Sequence, residues 1–284
     1  MVEKDANLID DLSNPDWKKR INAIYSLKDN YDEKTTNNLV NLLSDNNVNV
    51  WLAAANILKN RSHPKIIESF EKSLTNDKRD EIRWHSAYYL GEIGNKESID
   101  KLIFALSDKC EDVRINAAKA LGKIAEKKSL DALSKALSDK NSTVRKEAIS
   151  SINKISPTEP IDELIKSLND KDKRVRSLAA ILIAKTNTKV AFDKLIDNLD
   201  DKENIVRVST IYALDKIGGK KIIEPLVKAL RDPYWEVRSD AANALGRTGE
   251  NEVIVPLLET LKDENSFVRK SALKALQNFE FFKK

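Results

Sequence analysis

The sequence predicts an all-α solenoid of nine repeats, each made of two helices. An aspartate and an arginine six residues apart recur every 31 residues along most of the chain. A fixed period of this size is typical of stacked repeat proteins. Within each repeat the apolar residues follow helical spacing, and no stretch shows the strict alternation of a half-buried strand.

The repeated pair defines the repeats and their bounds. Its complete copies are Asp77–Arg83, Asp108–Arg114, Asp139–Arg145, Asp170–Arg176, Asp201–Arg207, Asp232–Arg238 and Asp263–Arg269. In repeat 2 Trp51 replaces the arginine, and in repeat 1 Asn14 replaces the aspartate. We predict one solenoid domain over residues 1–284, with capping repeats near 1–30 and 251–284.

Repeat 4 illustrates why each repeat should contain two helices. Residues 98–106 place apolar side chains on one helical face, and so do residues 113–124. Asp108 comes just before the second helix, where a carboxylate can accept backbone N–H bonds and complement the helix dipole. Gly94 lies just past the equivalent helix of repeat 3, where a left-handed residue commonly ends a helix. The pattern predicts eighteen helices in all.

The phrase V-R-x-x-A-A-x-A-L-G at residues 113–122 resembles the HEAT repeats of the short class, of about 31 residues, also called phycobilisome-lyase-type repeats. The resemblance runs from end to end of the chain. It implies a right-handed superhelix whose second helices line a concave face. It also implies an internal hydrogen-bond ladder between repeats, made by Asp108, Arg114, Asp139, Arg145, Asp170, Arg176, Asp201, Arg207, Asp232, Arg238, Asp263 and Arg269.

Composition limits the classes of function. The chain has 49 basic and 45 acidic residues, so a strongly basic nucleic-acid-binding surface is not implied by charge alone. Its single cysteine, Cys110, excludes an intramolecular disulfide and favours a reducing compartment. The N-terminus has no apolar signal region, and no run is long enough to span a membrane. We predict a cytoplasmic, mostly monomeric protein.

The sequence contains no recognisable catalytic constellation. Its two histidines, His63 and His85, show no zinc-ligand spacing, and no glycine-rich phosphate loop or G-x-S-x-G turn occurs. HEAT-repeat deoxyhypusine hydroxylases, which this chain resembles in fold, bind iron through His-Glu pairs, but Ser86 follows His85 here. We therefore predict no catalytic residue, no metal and no cofactor.

A basic strip is the first candidate binding surface. HEAT-like alkylpurine DNA glycosylases, which the chain also resembles, use a concave face with tryptophans and cations. The candidate phosphate contacts are Lys119, Lys123, Lys146, Lys154, Arg174, Lys185 and Lys216. Alternatively, these cations complement helix C-termini, and nearby carboxylates such as Glu147 dilute the strip.

An apolar column on the second helices is the second candidate surface. Residues one, two and five places after the ladder arginine should face the groove. The candidate partner-binding residues are Ile21, Tyr25, Leu52, Trp84, His85, Tyr88, Ile115, Ile181 and Tyr212. Large apolar patches mark interaction sites, and Trp and Tyr are frequent hot spots. Alternatively, the superhelical twist packs this column as ordinary core.

The remaining aromatic residues are expected to be structural. Trp17 and Trp235 should pack at helix starts, and Trp51 should be partly buried. At the C-terminus, Phe279 with Phe281 and Phe282 should cover the last repeat or, alternatively, form a dimer contact.

The sequence favours a non-catalytic scaffold that binds an unidentified protein partner in its concave groove. Nucleic-acid binding or DNA repair through the basic strip is the main alternative. Handling of a bilin chromophore, which the family resemblance suggests, has no specific residue to support it.

Overall fold

The structure is a computed structural model that describes residues 8–29, 32–61, 63–157, 161–186 and 190–280. Within these ranges all regular structure is helical, and the helices follow the predicted repeats as an α-solenoid. The first helix of repeat 1 contributes residues 8–11. The first helices of repeats 2 to 9 are Glu33–Asn41, Pro64–Asn76, Ile99–Ala105, Leu130–Ala136, Ile161–Ser167, Phe192–Asn198, Ile223–Ala229 and Ile254–Thr260. The second helices of repeats 1 to 9 are Trp17–Ser26, Val48–Leu58, Asp80–Ile93, Glu111–Ile124, Ser142–Ile155, Lys173–Thr186, Asn204–Ile217, Trp235–Thr248 and Ser266–Leu276.

The contacts divide the chain into two compact units, Met1–Ile155 and Ser156–Lys284. In each unit the second helices of neighbouring repeats pack side by side, and the first helix of a repeat packs on its own second helix. The first unit holds repeats 1 to 5 and the second holds repeats 6 to 9. A single continuous domain over residues 1–284 stays a prediction.

The core of each unit is the stripe of apolar residues that the helical spacing predicts. In repeat 4, Leu102 from the first helix and Leu121 from the second are both fully buried. Burying each side chain contributes about 1.5–3 kcal/mol. Small residues let the second helices approach closely, since a Cβ added to Gly91 would lie 2.8 Å from the Cα atom of Ala120.

The repeated arginines close their own turns and bind the next repeat. Arg114 donates from Nη1 to the carbonyl oxygens of Asp108 and Lys109, at 2.8 and 3.2 Å. Its Nε and Nη2 donate to the carboxylate of Asp139 in the next repeat, at 2.7 and 3.0 Å. The same carboxylate accepts the backbone N–H of Asn141 at 2.8 Å, in the turn before the helix. Equivalent ion pairs join Arg20 to Asp45, Arg83 to Asp108, Arg176 to Asp201, Arg207 to Asp232 and Arg238 to Asp263.

Repeat 2 has Trp51 where the other repeats have the ladder arginine, yet a guanidinium still occupies the ladder position there. Arg79, from the turn of repeat 3, donates from Nη1 to the carbonyl oxygens of Asp45 and Asn46, at 3.0 and 2.9 Å. Its Nε and Nη2 donate to the carboxylate of Asp77, at 2.9 and 2.7 Å. These are the acceptors that an arginine at position 51 would use in a regular repeat. Arg79, from the turn of repeat 3, therefore replaces the ladder arginine that repeat 2 lacks.

The ladder makes the stability of the fold depend on pH. Hydrogen bonds from Arg238 and from Arg79 hold the pKa values of the Asp263 and Asp77 carboxyls below the usual 3.8. A carboxyl with a lowered folded-state pKa stabilises the fold above its unfolded pKa. That stabilisation is lost as the pH falls through the folded-state pKa. We expect the free energy of unfolding to fall steeply below about pH 4, as measured by urea unfolding from pH 7 to about pH 3.

Asp263→Asn is the matched variant for this measurement, because it removes one ladder carboxyl and keeps the side-chain shape. It should be less stable than the wild type at neutral pH and should lose less stability on acidification. Equal acid sensitivity in the two proteins would contradict a role for the ladder carboxyls.

Candidate functional site

A cluster of aromatic rings joins repeats 2 and 3 in the first unit. It consists of Trp51, Phe70, Trp84, His85, Tyr88 and Tyr89, which we call the aromatic cluster. Trp51 lies at its centre, with ring centroids 5.8 Å from Phe70 and 6.1 Å from Tyr89. Phe70 and Tyr89 stack at 5.3 Å. Trp51 and Phe70 are fully buried and Tyr89 nearly so, and these three rings form the buried floor of the cluster.

Trp84 and His85 lie above this floor and are partly buried. Their rings stack with centroids 3.4 Å apart. The Nδ1 atom of His85 lies 2.8 Å from the carbonyl oxygen of Glu81, so its N–H donates there and fixes the ring. Burial lowers the pKa of His85. The imidazole is therefore neutral at neutral pH and acts as an aromatic surface.

Two tyrosines expose their phenol groups beside the cluster. Tyr88 is 40% exposed and meets Tyr89 edge to face at 5.3 Å, and Tyr25 of repeat 1 is 51% exposed. The hydroxyl of Tyr89 donates to Oδ1 of Asn56 at 3.4 Å. Burial, with smaller contributions from Tyr88 and Tyr25, raises the pKa of Tyr89 to about 12. The three phenols therefore lie near one another, and the phenol of Tyr89 stays protonated at neutral pH.

The two groove columns differ in how far they are buried. The apolar column one place after the ladder position, which comprises Ile21, Leu52, Trp84 and Ile115, is partly buried and packs against the core. In the column five places after it, Tyr25, Tyr88 and Tyr212 are exposed. Ile181 is partly buried, and it lies with Tyr212 in the second unit. The first unit therefore combines a half-buried apolar ridge of four residues with two exposed tyrosines.

Several cations of the predicted basic strip are engaged by groups of the chain itself. In the first unit Lys123 pairs with Glu92, and Lys146 lies 3.4 Å from Glu147. The side chains of Lys119 and Lys154 are exposed.

In the second unit Arg174 pairs with Asp172 at 2.9 Å, and the Nζ atom of Lys216 lies 5.7 Å from the ring centroid of Tyr212. Lys185 is exposed. In both units, therefore, some of the cations that phosphate contacts would need already interact with carboxylates or, in one case, with an aromatic ring.

The other aromatic residues differ in part from expectation. Trp17 and Trp235 begin their helices as predicted, but they remain 37% and 38% exposed. Trp51 is fully rather than partly buried, because Arg79 occupies the ladder position and the indole turns into the core. Phe279 is buried, while Phe281 and Phe282 lie outside the described residues.

Sequence reasoning missed Phe70, Tyr89 and the role of Arg79. A signal for Arg79 was present. Two residues after the ladder aspartate, the other repeats from 2 to 9 carry Asn47, Cys110, Asn141, Asp172, Glu203, Tyr234 and Asn265, and none is a cation. Arg79 is a cation at this position, in the repeat directly after the one that lacks the ladder arginine. This indicated that Arg79 replaces that arginine.

The described residues hold no group of three or more His, Cys, Asp or Glu side chains placed to bind a metal ion. No helix in the described part of the chain combines the length and apolar character needed to cross a membrane.

Comparison with known proteins agrees with this architecture. The family model for HEAT repeats matches residues 6–88, 67–153, 133–215 and 192–277, so the chain belongs to the HEAT-repeat family. No curated protein sequence matches the chain.

Similar solved structures are solenoids of the same kind. YibA of Escherichia coli is 25% identical, with a TM-score of 0.63, over 89% of this chain and 95% of YibA. Kap121p is 14% identical, with a TM-score of 0.70, over 98% of this chain and 37% of Kap121p. Importin beta is 16% identical, with a TM-score of 0.66, over 97% of this chain and 46% of importin beta. The likeness to the last two shows the fold alone.

Proposed function

We propose that this protein is a non-catalytic scaffold that binds a partner protein through the second-helix face of repeats 1 to 4. One observation carries the proposal: Tyr25 and Tyr88 expose about half of their side chains beside a floor of buried aromatic rings. Tyrosine combines a large apolar ring with a polar tip, and it is enriched among the residues that dominate binding energy.

The floor supports binding by holding the exposed ring of Tyr88 in place. Tyr88 packs on Tyr89, which is itself fixed by Phe70 and by its hydrogen bond to Asn56. A side chain that is already ordered loses little conformational entropy when a partner covers it. The partly buried ridge beside the tyrosines adds apolar area to the same face.

The charges nearby indicate what the partner carries. Asp80 and Glu92 are already paired with Arg83 and Lys123, so we base the inference on Glu81, which is exposed one turn before His85. We propose that the partner is an apolar segment or helix bearing some positive charge.

The test is capture of the partner from a native cell extract at low and high salt. The double variant Tyr25→Ala/Tyr88→Ala should reduce capture at least tenfold, a loss of about 1.4 kcal/mol or more. Wild-type capture should persist at high salt, because apolar contacts are not screened. Circular dichroism and thermal unfolding should be nearly unchanged, since both side chains are exposed.

Phe104→Ala is the matched control, because Phe104 is 68% exposed but lies on a first helix. It should leave capture unchanged. Equal capture by the double variant and this control would refute the proposal. Retention of nucleic acid at low salt alone would instead favour the basic strip, because phosphate contacts weaken steeply with salt.

A further inference from the structure

The second unit exposes a separate pair of aromatic rings. Trp235 and Phe267 lie at the starts of the second helices of repeats 8 and 9. Their ring centroids are 5.2 Å apart with a tilt of 31°. Trp235 is 38% exposed and Phe267 is 61% exposed. Two large rings therefore meet at the surface and leave part of their area in water.

Two other exposed rings of this chain lie close to its own cations. The Nζ atom of Lys18 lies 5.7 Å from the ring centroid of Trp17, which occupies the equivalent position in repeat 1. The guanidinium of Arg207 lies 5.4 Å from the ring centroid of Tyr234. Among the described residues, no lysine or arginine takes such a position over Trp235. Its exposed surface can therefore accept a cation from outside the chain.

An exposed carboxylate lies beside the pair. Trp235 and Glu264 line one surface pocket of about 370 Å³, together with Pro233, Tyr234, Arg238 and Asn265. The guanidinium of Arg238 is neutralised by the carboxylate of Asp263, with hydrogen bonds of 2.7 and 2.9 Å. Glu264 is 88% exposed and lies 3.5 Å from Arg238. Arg269 donates to the backbone carbonyl oxygens of Asp263 and Glu264, at 2.7 and 2.9 Å, so the charges of this turn balance. Because Asp263 accepts the paired hydrogen bonds of Arg238, the exposed carboxylate of Glu264 can still accept hydrogen bonds from a further donor.

We propose that Trp235, Phe267 and Glu264 form a binding site for an arginine side chain of a partner protein. A guanidinium is planar, stacks on aromatic faces and donates paired hydrogen bonds to a carboxylate. Tryptophan is the best aromatic platform for a cation. The site lies in the second unit and does not depend on Tyr25 and Tyr88, so it is tested separately from the proposed function.

The test uses the full chain labelled with 5-fluorotryptophan and the probe N-acetyl-arginine amide. The chain has four tryptophans, so fluorine NMR should show four signals, each assigned by a Trp→Phe variant. We expect the Trp235 signal to shift saturably with the probe. The Trp17 signal should move much less, because Lys18 already lies over that ring.

Two controls separate the contributions of charge and shape. N-acetyl-citrulline amide has nearly the same shape without the charge, and it should not shift the Trp235 signal. Glu264→Gln should weaken binding of the arginine probe about two- to fivefold, the loss of one exposed ion pair. The proposal is wrong if citrulline amide acts as well as arginine amide, if lysine amide binds as tightly, or if Trp235 responds no more than Trp17.

Discussion

Trp51→Ala is expected to lower the free energy of unfolding by about 3–5 kcal/mol, because it removes a large ring from a filled core. Trp51 is fully buried and contacts Phe70 and Tyr89, which together form the floor of the aromatic cluster. Urea unfolding at neutral pH measures the loss. Partner capture should also fall, although Tyr88 itself is unchanged, because the floor that holds it is lost.

Trp51→Phe is the control for this variant. Phenylalanine keeps a ring in the cluster and removes the indole N–H, whose nitrogen is buried without a hydrogen-bond partner. We therefore expect it to cost less than half as much as alanine. A loss below about 1 kcal/mol for Trp51→Ala, typical of an ordinary substitution, would contradict a packed floor at this position.

Arg79→Ala is expected to lower the free energy of unfolding by about 2–3 kcal/mol, since it removes charge-assisted hydrogen bonds that join repeats 2 and 3. The variant leaves the carboxylate of Asp77 and two carbonyl oxygens without this donor. Lys78→Ala removes the same charge from an exposed neighbouring side chain, and it should change stability by less than about 0.5 kcal/mol. Arg79→Lys should rescue little, because an ammonium cannot reproduce the planar fork.

A double-mutant cycle tests whether Arg79 occupies the place of the missing ladder arginine. Trp51→Arg introduces a second guanidinium toward acceptors that Arg79 already uses, and it should be strongly destabilising. Adding Arg79→Ala to that variant should cost much less than Arg79→Ala costs in the wild type, because the new arginine can then use these acceptors. Additive effects would show that the two positions are independent.

Much of the fold follows from local regularities in the sequence. The 31-residue period sets the number of repeats, and helical spacing sets the face that each helix buries. The pairing of Arg114 with Asp139 also follows the repeat, because identical neighbours place identical side chains at the same distance. In the candidate site, the sequence predicted that Tyr25, Trp84 and Tyr88 share a face. It could not say which of them is exposed.

The sequence by itself therefore determined the class of fold, the repeat register and the helix faces, because these depend on contacts that recur in every copy. Only the tertiary structure decided what happens where a copy departs from the rule. Arg79 serves repeat 2 from the turn of repeat 3, which frees Trp51 to enter the core and build the floor under Tyr88. Trp17 and Trp235 hold equivalent positions, yet one ring is covered by Lys18 and the other meets Phe267. These outcomes depend on how far particular side chains reach across neighbouring repeats, and a periodic pattern carries no information about that reach.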